Sequence, residues 1–280
     1  MIKGTIQQDK IWNEIVNTNN DVIVNAGAGT GKTFTIVEGA NRVSAKRMGF
    51  LAFNKSIATE LAERLPEHVE AKTFHALGMK AVRDSVGRIK VNNWKVKNII
   101  DGILGRDYQA QPLVKLISLV KGSMIDCTDE KQIYQLIDKY NIEFKSDREE
   151  VMGVGIVCQI LDECKKQTNE IDFDDMIWLP LVNKYLLPQF DILFVDEAQD
   201  FNEMQRRLVL ACTQIGRCII VGDKNQAIYG FRGADSGSIA IFKNQLEARG
   251  KIVKEFGLTL TWRCPKSVVA EANRYVKDFN

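Results

Sequence analysis

Ala26-Gly27-Ala28-Gly29-Thr30-Gly31-Lys32-Thr33 is the stretch on which the reading of this chain turns. An apolar run, Val22-Ile23-Val24, precedes it and reads as a buried strand; a helical pattern from Phe34 to Val43 follows. Strand, glycine-rich turn, Gly-Lys-Thr and helix in that order make a phosphate-binding loop. The glycines let successive backbone N–H groups converge on phosphate oxygens, and the helix N-terminus adds partial positive charge. Lys32 is expected to reach the β- and γ-phosphates of a nucleotide, and the Thr33 hydroxyl to hold Mg²⁺. Ala26 stands where the strict pattern has its first Gly, and alanine is small enough for that turn. An ordinary glycine-rich turn between strand and helix is the alternative.

Working outward, the 280 residues suffice for one large or two small domains. A chain 45% hydrophobic and 26% charged is that of a globular protein with a buried core. The net charge of +2 hides an uneven distribution. Ala40 to Ile99 holds twelve Lys/Arg against five Asp/Glu, whereas Glu170 to Asp200 holds eight acids against one Lys. The first stretch suggests a polyanion surface and the second a metal site, with two solvated faces as the alternative. No apolar run approaches ~20 residues, so no membrane span is expected. The six cysteines form no C-x-x-C pair and only two His exist, which argues against zinc. Scattered cysteines without a secretory signal read as reduced thiols of a cytoplasmic protein.

Along the chain, Thr5 to Asn19 has the spacing of an amphipathic helix, and Met48 to Phe53 reads as a second strand. Asn54-Lys55-Ser56 leads into a helix through Leu65, Val69-Glu70-Ala71 is a short strand, and Thr73-Phe74-His75 opens another helix. Polar side chains directly after strands stand at the carboxyl edge of a parallel sheet, where α/β folds bind ligands. From about 86 to 171 the pattern turns helical: Trp94 to Leu104, Leu113 to Val120, Gln132 to Tyr140 and Val151 to Cys164. Ile171 onward opens a helix toward Leu187, with acids in its first turn as the dipole favours. The apolar run from Phe190 to Val195 then ends in Asp196-Glu197, which fits an Mg²⁺-binding Asp beside a Glu that orients or deprotonates the attacking water. A further strand, Arg217 to Val221, leads to Gly222-Asp223-Lys224-Asn225-Gln226-Ala227-Ile228-Tyr229-Gly230-Phe231-Arg232-Gly233-Ala234. Leu258 to Arg263 reads as a strand end, and Pro265 starts a final helix.

Taken in order, the phosphate loop, Phe-Asn-Lys-Ser, Thr-Phe-His, Phe-Asp-Asp, Val-Asp-Glu-Ala-Gln-Asp, the long motif from Gly222 to Ala234 and the late Trp262-Arg263 pair resemble the first RecA-like domain of UvrD/Rep-type superfamily one DNA helicases. Phe-Asn-Lys-Ser-Ile-Ala and Thr-Phe-His-Ala-Leu-Gly also look like the F-box helicase branch and phage relatives. The resemblance implies an α/β fold: a RecA-like P-loop domain with a parallel sheet, formed by 1–85 and 172–280, and an inserted, mostly helical subdomain at 86–171.

It also implies roles. Gln8 resembles the glutamine that reads adenine. Ala26, Gly27, Ala28, Gly29, Thr30, Gly31 and Lys32 match the phosphate cradle, and Thr33 and Asp196 the Mg²⁺ contacts. Glu197 matches the catalytic base, Gln226 the γ-phosphate sensor coupled to DNA, Trp262 the aromatic on adenine, and Arg263 an arginine at the γ-phosphate. Phe34 stands where many relatives place an Arg beside adenine. Asn54, Lys55, Phe74 and His75 fall in motifs that contact DNA, and Tyr229 and Phe231 match aromatics that stack on single-stranded bases. For Tyr229, Phe231 and Trp262 core packing is the alternative, as it is for Asn54 and His75, and helix capping is the bland role for Thr73 and Asp172.

The family's second RecA-like domain, with its arginine finger, has no counterpart here, so the chain reads as the N-terminal part of a longer helicase, its site completed by such a domain of the same or another chain. The expected activity is Mg-ATP hydrolysis coupled to 3′→5′ movement on single-stranded DNA. A non-translocating ATP-dependent DNA-binding or partner-binding module is the rival reading. An unrelated phosphate-loop enzyme such as a nucleotide kinase would not need the aromatic-Arg loop from Tyr229 to Arg232.

Overall fold

The computed structural model describes residues 3–226 and 237–274. In chain order the elements are α1 (Ile6–Asn17), β1 (Asp21–Ala26), α2 (Lys32–Arg42), β2 (Met48–Ala52), α3 (Lys55–Arg64), β3 (Val69–Thr73) and α4 (Phe74–Val86). Then come β4 (Lys90–Val91), α5 (Lys95–Leu104), α6 (Ala110–Ser123), α7 (Glu130–Lys139), α8 (Asp147–Gly155), α9 (Val157–Lys166) and β5 (Glu170–Ile171). The chain continues through α10 (Asp175–Val182), β6 (Ile192–Val195), a 3₁₀ turn at Ala198–Asp200, α11 (Glu203–Cys212), β7 (Arg217–Gly222), α12 (Ser238–Glu247), β8 (Val253–Leu258) and α13 (Lys266–Ala272).

Six strands form one sheet in the order β3-β2-β6-β7-β1-β8, and every pairing is parallel. The inner strands β1, β2, β6 and β7 are buried on both faces and read as largely apolar runs, whereas the edge strands β3 and β8 carry exposed polar residues. Side chains alternate across it. Val22, Val24, Phe50, Phe194 and Ile219 join the core under α1, α2 and α3. Ile23, Leu51, Leu193, Val195 and Ile220 face the other way, into a core that runs through Phe74 and Leu77 to Leu113 and Ile160 of the insertion. The helical insertion thus shares its core with one face of the sheet.

The insertion is entered and left through a separate parallel pair, with Lys90 opposite Glu170 and Val91 opposite Ile171. Beside this clasp lies a buried charge cluster. Lys95 Nζ donates to Asp175 Oδ2 at 2.6 Å and to the carbonyls of Cys164 and Gln167, both at 2.9 Å. Lys121 Nζ donates to Asp172 Oδ2 and to Asp175 Oδ1, both at 2.8 Å. Asp172 Oδ1 also accepts the Asp175 N–H at 2.7 Å, so it holds the start of α10 as well. Burial disfavours the charged form of Lys121, but Asp175 and Asp172 outweigh it and raise its pKa above the ordinary lysine value. The acidic stretch from Glu170 to Asp200 therefore splits: Asp172 and Asp175 neutralise buried lysines rather than hold a metal.

Several expectations are corrected. The run Val151 to Cys164 is two helices, because Gly153 and Gly155 end α8 and Ile156 breaks the geometry at φ −109°, ψ 4°. The helix toward Leu187 stops at Val182: Pro180 lacks an N–H, and Lys184 turns left-handed at φ 54°. The strand near its end closes at Leu258, and residues 259–263 form a loop. The cysteines are not all reduced. Cys127, between α6 and α7, and Cys158 of α9 form a disulfide across a sequence separation of 31, their Cα atoms 5.2 Å apart. Folding makes that proximity, and spacing could not reveal it. No helix among the described residues is long and apolar enough to cross a membrane.

Candidate nucleotide and nucleic-acid sites

The carboxyl ends of all six strands lie on one edge of the sheet, and β7 stands between β1 and β6. The phosphate loop leaves β1, Asp196-Glu197 leaves β6, and the segment to Gln226 leaves β7. These three segments surround a cavity of about 640 Å³, lined among others by Lys32, Thr33, Asp196, Glu197, Gln226 and Arg263.

The loop itself is built from local bonds. Gly29 (φ 70°) and Gly31 (φ 82°) adopt left-handed backbone that other residues rarely take. Thr30 Oγ1 donates to the Gly27 carbonyl at 2.8 Å, and α2 starts at Lys32. The loop after β8 straps over it: Trp262 N–H donates to the Gly29 carbonyl and Thr261 Oγ1 to the Ala28 carbonyl, both at 2.9 Å. A Cβ on Gly29 would lie 2.5 Å from Arg263 Cβ, so close approach as well as backbone conformation requires glycine there.

Lys32 Nζ lies 2.9 Å from Glu197 Oε2, and Thr33 Oγ1 donates to Asp196 Oδ2 at 2.8 Å. Burial, then the neighbouring Glu197, pushes the Asp196 carboxyl up to about 6. Glu197 sits in left-handed backbone (φ 56°, ψ 41°), a strained conformation for this residue type, and its N–H donates to Asp196 Oδ1 at 2.8 Å. A hydroxyl and a carboxylate side by side are the hard oxygen donors that suit Mg²⁺, and an ammonium over a positive-φ glycine loop suits phosphate. The residues present fit a magnesium–nucleotide complex.

The other expected nucleotide contacts divide. Phe34 and Trp262 line the cavity; Phe34 is half-buried, edge-on to Trp12, and Trp262 is 71% exposed. Trp262 is thus not a core residue. Ala26 ends β1 and is buried, so it shapes the turn from below. Gln8 is buried and does not line the cavity: its Oε1 accepts the Thr5 N–H and its Nε2 donates to Thr35 Oγ1. Gln7, which carried no role in the sequence, bonds Thr259 of the strap through both amide atoms.

A second cavity of about 690 Å³ opens between the ends of β2 and β3 and helix α6 of the insertion. Asn54 and His75 line it, as does Lys115. Asn54 also caps α3 by accepting the Ile57 N–H, and Thr73 caps α4 by accepting the Ala76 N–H. Lys55 is exposed at the start of α3. Phe74 is corrected: it is 1% exposed, packed on Phe201 at 4.9 Å between ring centroids, and cannot reach a strand. Phe53 and Phe173 line this cavity; Phe173 is 55% exposed and tilted over His75 at 4.5 Å between ring centroids. Burial lowers the pKa of His75. Asp200 lines the same cavity, its carboxyl pushed up to about 6 by burial and then by Glu197. The expectations for Tyr229 and Phe231 fall outside the described residues.

With this geometry in view, the comparison with protein families is decisive: residues 7–247 match the model of the UvrD/REP helicase N-terminal domain. The chain belongs to the UvrD/REP helicase family. Among similar proteins is a probable DNA helicase II homolog of Mycoplasma pneumoniae, 25% identical over 90% of this chain and 39% of that protein. The ATP-dependent DNA helicase PcrA of Staphylococcus aureus is 24% identical over 94% of this chain and 39% of its own length. F-box DNA helicase 1 of Gallus gallus is 28% identical over 83% of this chain and 24% of its own length. The chain thus spans about two fifths of the first two relatives and about a quarter of the third. The RecA-like α/β fold with a helical insert agrees with this membership.

Proposed function

We propose that this UvrD/REP-type domain binds and hydrolyses Mg-ATP and couples that reaction to 3′→5′ movement on single-stranded DNA, with a second RecA-like domain completing the site. The observation that carries the reading is the convergence of Lys32 with Glu197 at 2.9 Å and of Thr33 with Asp196 at 2.8 Å, in one cavity, from strands that are not neighbours. Direction of movement comes from family resemblance alone.

Lys32 would exchange Glu197 for the β- and γ-phosphate oxygens as nucleotide enters. Thr33 and Asp196 would hold the magnesium ion, which supplies charge neutralisation at those oxygens. Glu197, freed from the lysine, would orient a water in line with the γ-phosphorus and take its proton as the new P–O bond forms and ADP leaves. Arg263 would offset charge on the transferred group, Trp262 would stack on the adenine, and Gln226 would register whether the γ-phosphate is present. An arginine finger is worth ~10³–10⁵ in rate, which is why a second domain belongs to the proposal. The second cavity, with His75, Phe173, Asn54 and nearby Lys55, offers ring faces for bases and polar groups for the backbone of a single strand.

The test is ATP hydrolysis by this chain with and without single-stranded DNA, beside Lys32→Ala. DNA-stimulated turnover abolished in Lys32→Ala is the expected result. Nucleotide binding without any DNA effect would favour a module that does not translocate. Absence of nucleotide binding would sink the proposal.

A further inference from the structure

Gln199 is only 4% exposed, and its amide bonds one residue that lines the nucleotide cavity, Glu197, one that lines the second cavity, Asp200, and one just past the end of β7, Asp223. Its Nε2 donates to Glu197 Oε2 at 2.8 Å and to Asp200 Oδ2 at 3.3 Å, and its Oε1 accepts the Asp223 N–H at 2.9 Å. The amide can face only one way. The backbone N–H of Asp223 can only donate, so the oxygen must meet it, and the nitrogen must then meet the two carboxylates. Asp223 passes the chain on, since its Oδ2 accepts Gln226 Nε2 at 2.7 Å and its Oδ1 accepts the Asn225 N–H at 3.0 Å.

The end of β7 is shaped for this side chain. A Cβ on Gly222 would lie 2.7 Å from Gln199 Oε1 and 3.1 Å from Gln199 N. Glycine there leaves the room that the amide fills. On the other side, Asp200 Oδ1 is buried without a hydrogen-bond partner among the described residues. Asp200 lines the cavity that holds His75 and Phe173.

We infer that Gln199 is a positioning residue that transmits the state of Glu197 to the Asp223–Gln226 segment and to Asp200. The inference rests on the nucleotide-site reading above. The oxygen that Lys32 contacts, Glu197 Oε2, is the same one that takes the Gln199 N–H. Drawing Lys32 onto a phosphate changes the charge balance at that oxygen and therefore its hold on Gln199. An amide with two donor hydrogens shared between two carboxylates can shift between them, and Asp223, bonded to the other end of the same amide, moves with it.

The experiment is amide hydrogen exchange at Asp223 to Gln226 in the 280-residue chain, with and without saturating Mg²⁺ and a non-hydrolysable ATP analogue, alongside the analogue's Kd. In the wild-type chain the analogue is expected to alter exchange at Asp223 by at least about fivefold, the lower end of ordinary site-to-site coupling. In Gln199→Leu that response is expected to fall below about twofold while the analogue still binds. Gly222→Ala keeps Gln199 but crowds it, and is expected to blunt the response in the same sense. A purely structural glutamine would change basal exchange without changing the response to nucleotide. A full response in Gln199→Leu overturns the inference, as does a wild-type chain that binds the analogue with no change at Asp223; either leaves the nucleotide site standing. No binding by the wild-type chain overturns the nucleotide site, and the inference with it.

Discussion

Lys121 and Lys32 each meet acidic side chains, and the two clusters differ in what is left over. Around Lys121 and Lys95, the lysine side chains and Asp175 are at most 1% exposed, and each ammonium has its partners fixed. Around Lys32, the side chains of the lysine and Glu197 keep 12% and 31% exposure and border an open cavity. The first cluster joins the insertion to the sheet domain and has no position for a newcomer. The second leaves room: in the proposed mechanism Lys32 would exchange Glu197 for phosphate. The same pair of chemical groups is closed off in one place and accessible in the other, and burial makes the difference.

The contrast can be broken most forcefully at Asp175. Removing the charge of Asp175→Asn leaves two buried lysines short of a counter-charge, and is expected to cost about 3–5 kcal/mol. Urea unfolding reads this; a loss under about 1 kcal/mol would mean that the junction is held by apolar packing alone. At the other cluster, Lys32→Ala should lower affinity for Mg-ATP by about 2–5 kcal/mol, the range for truncating one member of a desolvated charge contact. Its effect on unfolding should stay within about 1 kcal/mol, and a larger one would make the Lys32–Glu197 pair structural. Trp262→Ala should weaken adenine-nucleotide binding by about 1–3 kcal/mol, as loss of a stacking face does. With its side chain so exposed, the denaturation midpoint should not move.

The smallest effect is one of pH. A lysine whose folded pKa is raised stabilises fully below its unfolded value of about 10.4, and that contribution is lost as pH rises through the folded value. Because Lys121 is shifted in that direction, its cluster should contribute a level amount from about pH 8, above the titration of the neighbouring Asp174 carboxyl that burial pushes up to about 6, to about pH 10. A stability difference between wild type and Asp175→Asn that drifts within this window would show Lys121 deprotonating early.

Much of the fold was legible because strands covered on both faces leave uninterrupted apolar runs, and those at Val22 to Val24 and Phe190 to Val195 are followed by the polar motifs they deliver. Lys32, Thr33, Asp196 and Glu197 could be read together for that reason. Phe74 and His75 could not be sorted, because neighbours on a helix point about 100° apart and only the packing partner decides which one faces inward. Phe173 was invisible for a related cause: an aromatic between two acids at a helix start gives no sign of being left exposed. The placement of Gln8 follows from a capping box with Thr5, whose Thr-x-x-Gln pattern stands in the sequence. Gln199 stands within the Val-Asp-Glu-Ala-Gln-Asp motif, but its bonds could not be read there, since its three partners come from two strand ends that only the sheet order brings together.

The parallel clasp at the root of the insertion has a mechanical consequence. Lys90–Val91 and Glu170–Ile171 run in the same direction, so the insertion hangs from the far end of one strand and the near end of the other. A pull on the insertion therefore loads the bonds Lys90 N–H to Asn169 and Asn92 N–H to Ile171 simultaneously, in shear, and cannot unzip them one by one. Loaded this way, the clasp should yield in one step rather than bond by bond, which single-molecule pulling between residues 91 and 170 would register as one rupture.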